Sequence, residues 1–383
     1  MKKISTTVFY IIVSLLIGCI KPFIPSTHQY ENLLVVDGYV TDGPGPYTIT
    51  LSKSGEVKQF AKPVPVSNCQ VKVRDNYGNE YIFYEKQPGI YLSDSANFRG
   101  IPGRSYQLLI STSDGESIAS TMDVLKTGVG IQSIDPVIEH RDDPALFYGR
   151  DGYRFYITSE PFNTKDNYFM WRLQTTYKFR ADYGIFSYID TAGHYSLMSH
   201  GDTLRTCYRN VDVLEILLLN TTNLNTTQIN HYPLYYEDNY SKALTVRYSL
   251  NVLQYKINEA AFEYWNEIKK MTDNGGDLYS AQPYQVKNNL KNNSHPEIAV
   301  LGYFTVAGVS EKRIFLNRPP IIFRYETCHP GTPQMFIVEN MLDRPDLWPV
   351  YFAETEVGMY LLDQECVNCL KTGTQTKPAF WVE

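Results

Sequence analysis

The sequence predicts a mainly β protein: an N-terminal β-sandwich, then a second β-rich domain with one clear amphipathic helix and a loop-rich, cysteine-stapled C-terminal tail. Three observations predict it. Between residues 33 and 125, alternating apolar and polar runs are broken by turn residues roughly every 8–12 positions, the pattern of an antiparallel sandwich. Strand-like runs continue to residue 316, with a single helical period at 259–272. Tyrosine supplies 31 of the 383 residues, and its large ring with a polar tip suits sheet surfaces first and sugar stacking second.

At the N-terminus, Lys2 and Lys3 precede an apolar core at 8–17, about ten residues, the length of a signal-peptide h-region. A membrane-spanning helix needs about 20 apolar residues, and Gly18, Cys19 and Lys21-Pro22 end this run first. Leu16-Ile17-Gly18-Cys19 resembles the lipobox of bacterial lipoproteins, in which a small residue precedes the cysteine that becomes diacylated. The expectation is a signal peptide over 1–18, lipidation at Cys19, and a lipid-anchored tether over 19–32. Each buried acyl methylene contributes about 0.8 kcal/mol, so such an anchor holds stably.

The sandwich is expected over 33–126. Leu33-Leu34-Val35-Val36-Asp37-Gly38-Tyr39-Val40 leads into the turn Asp42-Gly43-Pro44-Gly45-Pro46, and Tyr47-Thr48-Ile49-Thr50-Leu51 returns. Further strands are expected at 69–74, 80–85, 90–92, 105–110 and 117–124. Asp75-Asn76-Tyr77-Gly78-Asn79 and Ser113-Asp114-Gly115-Glu116 read as connecting turns.

The second domain is expected over 127–383. Lys126-Thr127-Gly128-Val129-Gly130 supplies a joint, and strands are expected at 152–159, 168–179, 185–189 and 243–253. The apolar run 211–219 and the polar stretch after it read as a short helix with a long loop, a common place for binding sites. In the helix 259–272, Asn258 caps, Glu259 suits the positive end and Lys269-Lys270 the negative end. Ala261, Trp265, Ile268 and Thr272 form its buried stripe, with Ala260 and Tyr264 beside it. Strands follow at 298–306 and 312–316, and the proline-containing residues beyond are expected to lie over the domain as a tail.

Besides Cys19 there are five cysteines. In an exported chain Cys207, Cys328, Cys366 and Cys369 are disulfide candidates. A redox role for Cys366-Val367-Asn368-Cys369 ranks second, because such pairs normally open a helix after a strand, and a metal site ranks third, because no histidine stands at ligand spacing. Cys69, inside a strand pattern, is expected to be a free buried thiol.

Residues 1–18 carry two lysines and no acid, so the mature chain has 33 basic and 41 acidic side chains, a net of −8. No basic stripe is left for nucleic acid. Gly-x-Ser-x-Gly, His-Glu-x-x-His and a phosphate-binding glycine loop are absent, the seven histidines are scattered, and Glu139-His140-Arg141-Asp142-Asp143 reads as a solvated face. The sequence therefore nominates no catalytic, cofactor-binding or metal-binding residue. A carboxylate pair for glycan hydrolysis needs proximity in space only, which spacing does not reveal. Ser95, Thr191 and Thr203, each following an aspartate and preceding an alanine or leucine, fit a loose O-glycosylation pattern of exported proteins.

A series of pieces, in order along the chain, resembles one family. They are Cys19 with Leu34-Val35-Val36-Asp37-Gly38-Tyr39-Val40, then Tyr248-Ser249-Leu250 before the helix residues Ala260 to Trp265, then Gln282-Pro283. Leu301-Gly302-Tyr303-Phe304, Lys312-Arg313-Ile314-Phe315 and the closing Cys366-Val367-Asn368-Cys369 with Lys377-Pro378-Ala379-Phe380-Trp381 complete the set. The resemblance is to the Bacteroidota lipoproteins catalogued as domain of unknown function 4249. Leu370-Lys371 departs from it, standing where that family often has arginine and more glycine.

What the resemblance implies is a sandwich of transthyretin or carboxypeptidase-regulatory type, in an accessory lipoprotein of a TonB-dependent outer-membrane transport system. It carries over no catalytic residues and no cofactor. Surface-export tags in such lipoproteins are acidic and follow the cysteine directly, whereas the first acid here is Glu31, so the side of the outer membrane stays open. The functional expectation is a non-enzymatic lipoprotein that docks on a TonB-dependent receptor or captures a glycan or peptide ligand for it, through tyrosine-rich sandwich edges and the 180–240 loops. A hydrolase acting on glycan or peptide, and an adhesin or envelope-structural protein, are the alternatives.

Overall fold

The computed structural model describes residues 32–54, 63–162, 167–200, 203–222, 227–273, 286–329, 337–355 and 358–383. The expected signal peptide, Cys19, the tether to residue 31 and Gln282-Pro283 lie outside the described residues. The chain is mainly β, in three sheets.

The first unit contains β1 (Leu34–Thr41), β2 (Thr48–Lys53), β3 (Val64–Pro65), β4 (Gln70–Asp75), β5 (Glu80–Gln87), β6 (Ile90–Ser93), β7 (Ser105–Ser111), β8 (Ser117–Ser120) and β9 (Asp123–Val124). They pair in the order β1-β2-β6-β5-β4-β7-β8, with β3 on β2 and β9 on β7. Strand alternation puts Val36, Ile49, Val71, Val73, Leu108 and Ile110 in one buried cluster, so this continuous sheet must double over on its own apolar face. Phe98, from the loop after β6, fills the centre, stacked on Tyr81 at 4.1 Å and edge-on to Tyr47 at 5.3 Å and Tyr106 at 6.0 Å. The turn between β4 and β5 is held by Asp75, which accepts from the amides of Tyr77 (3.0 Å) and Asn79 (2.9 Å) and from Arg104 Nη1 (2.9 Å).

The second unit adds β10 (Ile131–Arg141), β11 (Arg150–Ser159), β12 (Tyr168–Arg180), β13 (Ser187–Ile189), β14 (Tyr195–Leu197), β15 (Thr206–Asn220), β16 (Tyr232–Asp238) and β17 (Arg247–Ile257). After the helix Glu259–Asp273 come β18 (Leu290–Asn292), β19 (Leu301–Asn317), β20 (Val350–Thr355) and β21 (Gly358–Leu361). Strands β15-β12-β17-β19 run antiparallel to their neighbours. One face of this sheet packs on β10-β11-β16 through Trp171, Leu173, Phe155, Ile157 and Leu250. The other carries the helix through Met170, Tyr255, Ala261 and Tyr264.

Strand β19 joins the two units. Its first half pairs in parallel with β1, from Val35 opposite Leu301 to Thr41 opposite Ala307; its second half pairs antiparallel with β17, from Lys256 opposite Gly308 to Arg247 opposite Asn317. Two glycines permit this. Gly302 has φ +92° and sits against the Val36 carbonyl, where a Cβ would collide. Gly308, at the change of partner, is crossed by the joint 126–128, and a Cβ there would meet the backbone of Gly128 and Lys126. Strand β18 likewise pairs with β8. The expected boundary at residue 126 is thus crossed again: residues 290–307 return to complete the sandwich.

Four further expectations are corrected. The run 211–219 is not a helix but part of β15, because its residues on either side of a bulge at 214–216 pair with β12. The tail is more ordered than expected: β20 and β21 form a four-stranded sheet with β13 and β14, in the order β14-β13-β20-β21. In the helix, Ala261 and Tyr264 are the buried residues, Trp265 and Ile268 are half-buried and Thr272 is exposed, because the last turn runs past the sheet. Cys69 is free, as expected, but half-buried, since it precedes β4 and lies at the edge of the core.

Candidate functional site

Cross-strand register builds the site. On the helix-bearing face, Asp212, Gln174, Asn251 and Arg313 stand in one row across β15, β12, β17 and β19, and Arg172, Leu253 and Glu311 form the next row. Period-two alternation explains why: Trp171 and Leu173 point into the core, so Arg172 and Gln174 must point to the opposite face. The helix covers one end of this face. The residues before the C-terminus cover the other: the Arg313 guanidinium lies 3.6 Å from the Phe380 ring centroid, and Trp381 is edge-on to Tyr208 and Phe315. Between the two covers a trough remains open.

The trough holds a cavity of about 480 Å³ lined by Arg172, Gln174, Asp212, Glu215, Asn251 and Trp265 among others. Its outer wall is a wide bulge in β15. Trp171 pairs with Leu217 and Leu173 with Val213, so three residues, 214–216, oppose the single Arg172. Leu214 is left 92% exposed on the rim. A second cavity of about 530 Å³ continues toward the sandwich, where Tyr39, Arg99 and Glu311 join; Arg172, Leu253 and Tyr255 line both.

The polar groups are held by one another. Gln174 Nε2 donates to Asp212 Oδ1 at 3.0 Å, and Asn251 Nδ2 donates to Glu311 Oε1 at 2.7 Å. Arg172 hydrogen-bonds the Tyr39 hydroxyl, lies 4.0 Å from that ring's centroid and is 3.8 Å from Asp37. Two buried atoms of lining residues have no partner among the described residues: the acceptor Asn251 Oδ1, on a side chain only 6% exposed, and the donor Trp265 Nε1. On the helix beside the trough, burial pushes the Tyr264 hydroxyl up to about 12, with the Asp37 carboxylate adding to the shift.

The cysteines lie elsewhere. Cys207 pairs with Cys369 (Cα–Cα 5.6 Å) and Cys328 with Cys366 (5.8 Å), binding the tail to β15 and to itself. Ser95, Thr191 and Thr203 stand in exposed turns and none lines the trough. Among the described residues no group of three or more His, Cys, Asp or Glu is placed to hold a metal ion, and no helix is long and apolar enough to cross a membrane.

Much of the 180–240 region expected as binding loops is strand: β13 and β14, β15 and β16. Among the described residues eleven tyrosines, including Tyr91, Tyr106 and Tyr248, are buried, so much of the tyrosine content is core. The expected 180–240 binding region contains the trough residues Asp212 to Ile216, whereas Arg172, Gln174, Asn251 and Glu311 were not nominated from sequence. The available signal was polar residues at alternate positions of otherwise apolar strands, Arg172 and Gln174 in β12 and Asn251 in β17.

The description "Domain of unknown function (DUF4249)" matches residues 20–313. The chain belongs to the DUF4249 family. The DUF4249 match contains both cavities of the trough and ends inside β19, before the small β13-containing sheet is completed by β20 and β21. No curated protein matches the chain. Among solved structures, the crystal structure of a DUF4785 family protein from Legionella pneumophila is similar at 9% identity, over 52% of this chain and 55% of that one, with a TM-score of 0.18. The chain spans about half the length of that solved relative.

Proposed function

We propose that this DUF4249 chain is a non-enzymatic, lipid-anchored outer-membrane protein that captures a ligand for a TonB-dependent receptor. The observation that supports capture is the trough: an open, aromatic-flanked strip of fixed polar side chains with an unsatisfied acceptor at its floor and an unsatisfied donor on the helix beside it. Anchorage rests on the signal and lipobox residues up to Cys19.

One pair of acids, Asp212 and Glu311, is spaced for binding and not for hydrolysis. Asp212 and Glu311 stand on β15 and β19 with two strands between them. At about 4.8 Å per strand they are about 14 Å apart across the sheet. The two carboxylates of glycoside hydrolysis stand roughly 5–9.5 Å apart. Each is moreover tied to a carboxamide neighbour, which suits holding a ligand in register.

The test is recovery of the tagged chain from detergent-solubilised membranes. A receptor barrel should co-purify, and a deletion strain should grow poorly on at least one nutrient. No barrel together with normal growth on every nutrient would remove the proposal. Release of reducing ends or peptide fragments by the purified chain would replace it with hydrolysis, and defects confined to attachment would replace it with adhesion.

A further inference from the structure

We infer that the trough takes a neutral, polyhydroxylated chain, an oligosaccharide, laid across the strands; this rests on the capture reading and names its ligand class. Asn251 Oδ1 needs a donor and Trp265 Nε1 needs an acceptor. A hydroxyl serves as either donor or acceptor, so a ligand rich in hydroxyls can meet both needs. Asp212 and Glu311 each use one oxygen on a neighbouring carboxamide, and a carboxylate has about four lone-pair sites, so both retain acceptor capacity for further hydroxyls.

Charge narrows the choice. Asp42, Asp212, Glu215 and Glu311 line the two cavities against Arg99 and Arg172, and the Arg172 guanidinium is engaged by Tyr39 and Asp37. The resulting acidic excess disfavours phosphorylated or uronate-rich ligands. Topology disfavours an extended peptide added as a strand: β12, β17 and β19 are paired on both sides, and β15, the terminal strand, is broken in register by its bulge at 214–216. The row of polar groups from β15 to β19 runs about 14 Å at the spacing of sheet strands, long enough for a short oligosaccharide. Trp265 lines the first cavity and Tyr39 the second, with Tyr255 lining both.

The full chain in detergent is titrated calorimetrically with neutral hexasaccharides of glucose, xylose and mannose, β- and α-linked, with hexagalacturonate and hexalysine as charged comparators. At least one neutral hexasaccharide should bind, and hexagalacturonate should not. Gln174→Ala, a half-buried side chain whose loss leaves the core intact, should weaken that binding at least tenfold, as should Trp265→Phe, which keeps an aromatic ring but removes the N–H. Binding of hexalysine alone, lost in the same two variants, overturns the saccharide assignment while leaving ligand capture standing. Binding of none of these ligands overturns the saccharide assignment too, and co-purification of a receptor then decides whether the docking half of the proposed function survives.

Discussion

Asp42 and Val309, separated by 267 positions in the sequence, are joined by a hydrogen bond of 2.7 Å from the Val309 amide to Asp42 Oδ1. The other carboxylate oxygen accepts from the Gly128 amide at 3.4 Å. One side chain thus ties β19 and the joint between the units to the β1–β2 turn, just where β19 changes partner. Asp42→Ala leaves two amides without their acceptor, at a cost of about 2 kcal/mol. Faster hydrogen exchange at Val309 and Gly128 is the expected result, and Asp42→Asn, which keeps one acceptor oxygen, should restore much of the protection. Unchanged exchange in the alanine variant would show that the backbone crossing holds without the carboxylate.

Stability should fall as the pH rises toward neutrality, because of Glu237. It accepts from the hydroxyls of Tyr235 (3.0 Å), Tyr248 (3.2 Å) and Ser241 (3.3 Å). Burial, with Asp238 beside it, pushes its carboxyl up to about 7. A folded-state value above the unfolded one means that the folded chain holds the extra proton between about pH 4.5 and 7, so stability is greatest below that window and is lost through it. The loss is on the order of 3 kcal/mol. Glu237→Gln should be as stable as the parent near pH 4.5 and clearly more stable at pH 8, measured by urea midpoint. A parent curve that is flat between pH 5 and 8 contradicts this.

Reduction should release the end of the chain before anything else. Cys207 and Cys369 close a loop of 162 residues, and removing a disulfide of this kind costs about 3 kcal/mol. The same segment places Trp381, 4% exposed, against Tyr208 and Phe315. Cys207→Ser should therefore shift tryptophan emission to the red and admit protease beyond residue 369 while the sandwich remains folded. Simultaneous loss of both units would mean that the tail is integral to the larger sheet.

A fragment ending at residue 126 should fail to fold on its own. It contains all of β1 to β9 but lacks the partners β19 and β18, which pair with β1 and β8. Circular dichroism should show no cooperative melt, or one far below that of the full chain. A melt matching the full chain would restore the boundary that the sequence suggests.

That boundary illustrates what was legible. Strands with one solvated face, such as β4 and β7, show clean alternation, and the helix declares itself through Asn258, whose Oδ1 accepts from the Ala261 amide at 2.7 Å. Strand β19 does not: residues 303–308 are buried without alternation and Glu311-Lys312-Arg313 interrupt the apolar pattern, so one strand reads as two. β15 misleads because a short apolar run has no period long enough to separate helix from strand. The trough was hidden for a different reason. Its residues come from four strands, and only register places Asp212, Gln174 and Asn251 side by side.

The shared strand β19 also imposes an order in time. When β1 and β2 leave the ribosome, Leu301–Asn317 lies more than two hundred residues behind them. Until it arrives, one edge of β1 stands open with its amides and carbonyls unpaired, a template for wrong partners. Closing it requires a long-range parallel pairing, the slow kind of contact. The first nine strands therefore wait without a finished sandwich, and its completion reports that the chain has emerged as far as the far end of the trough.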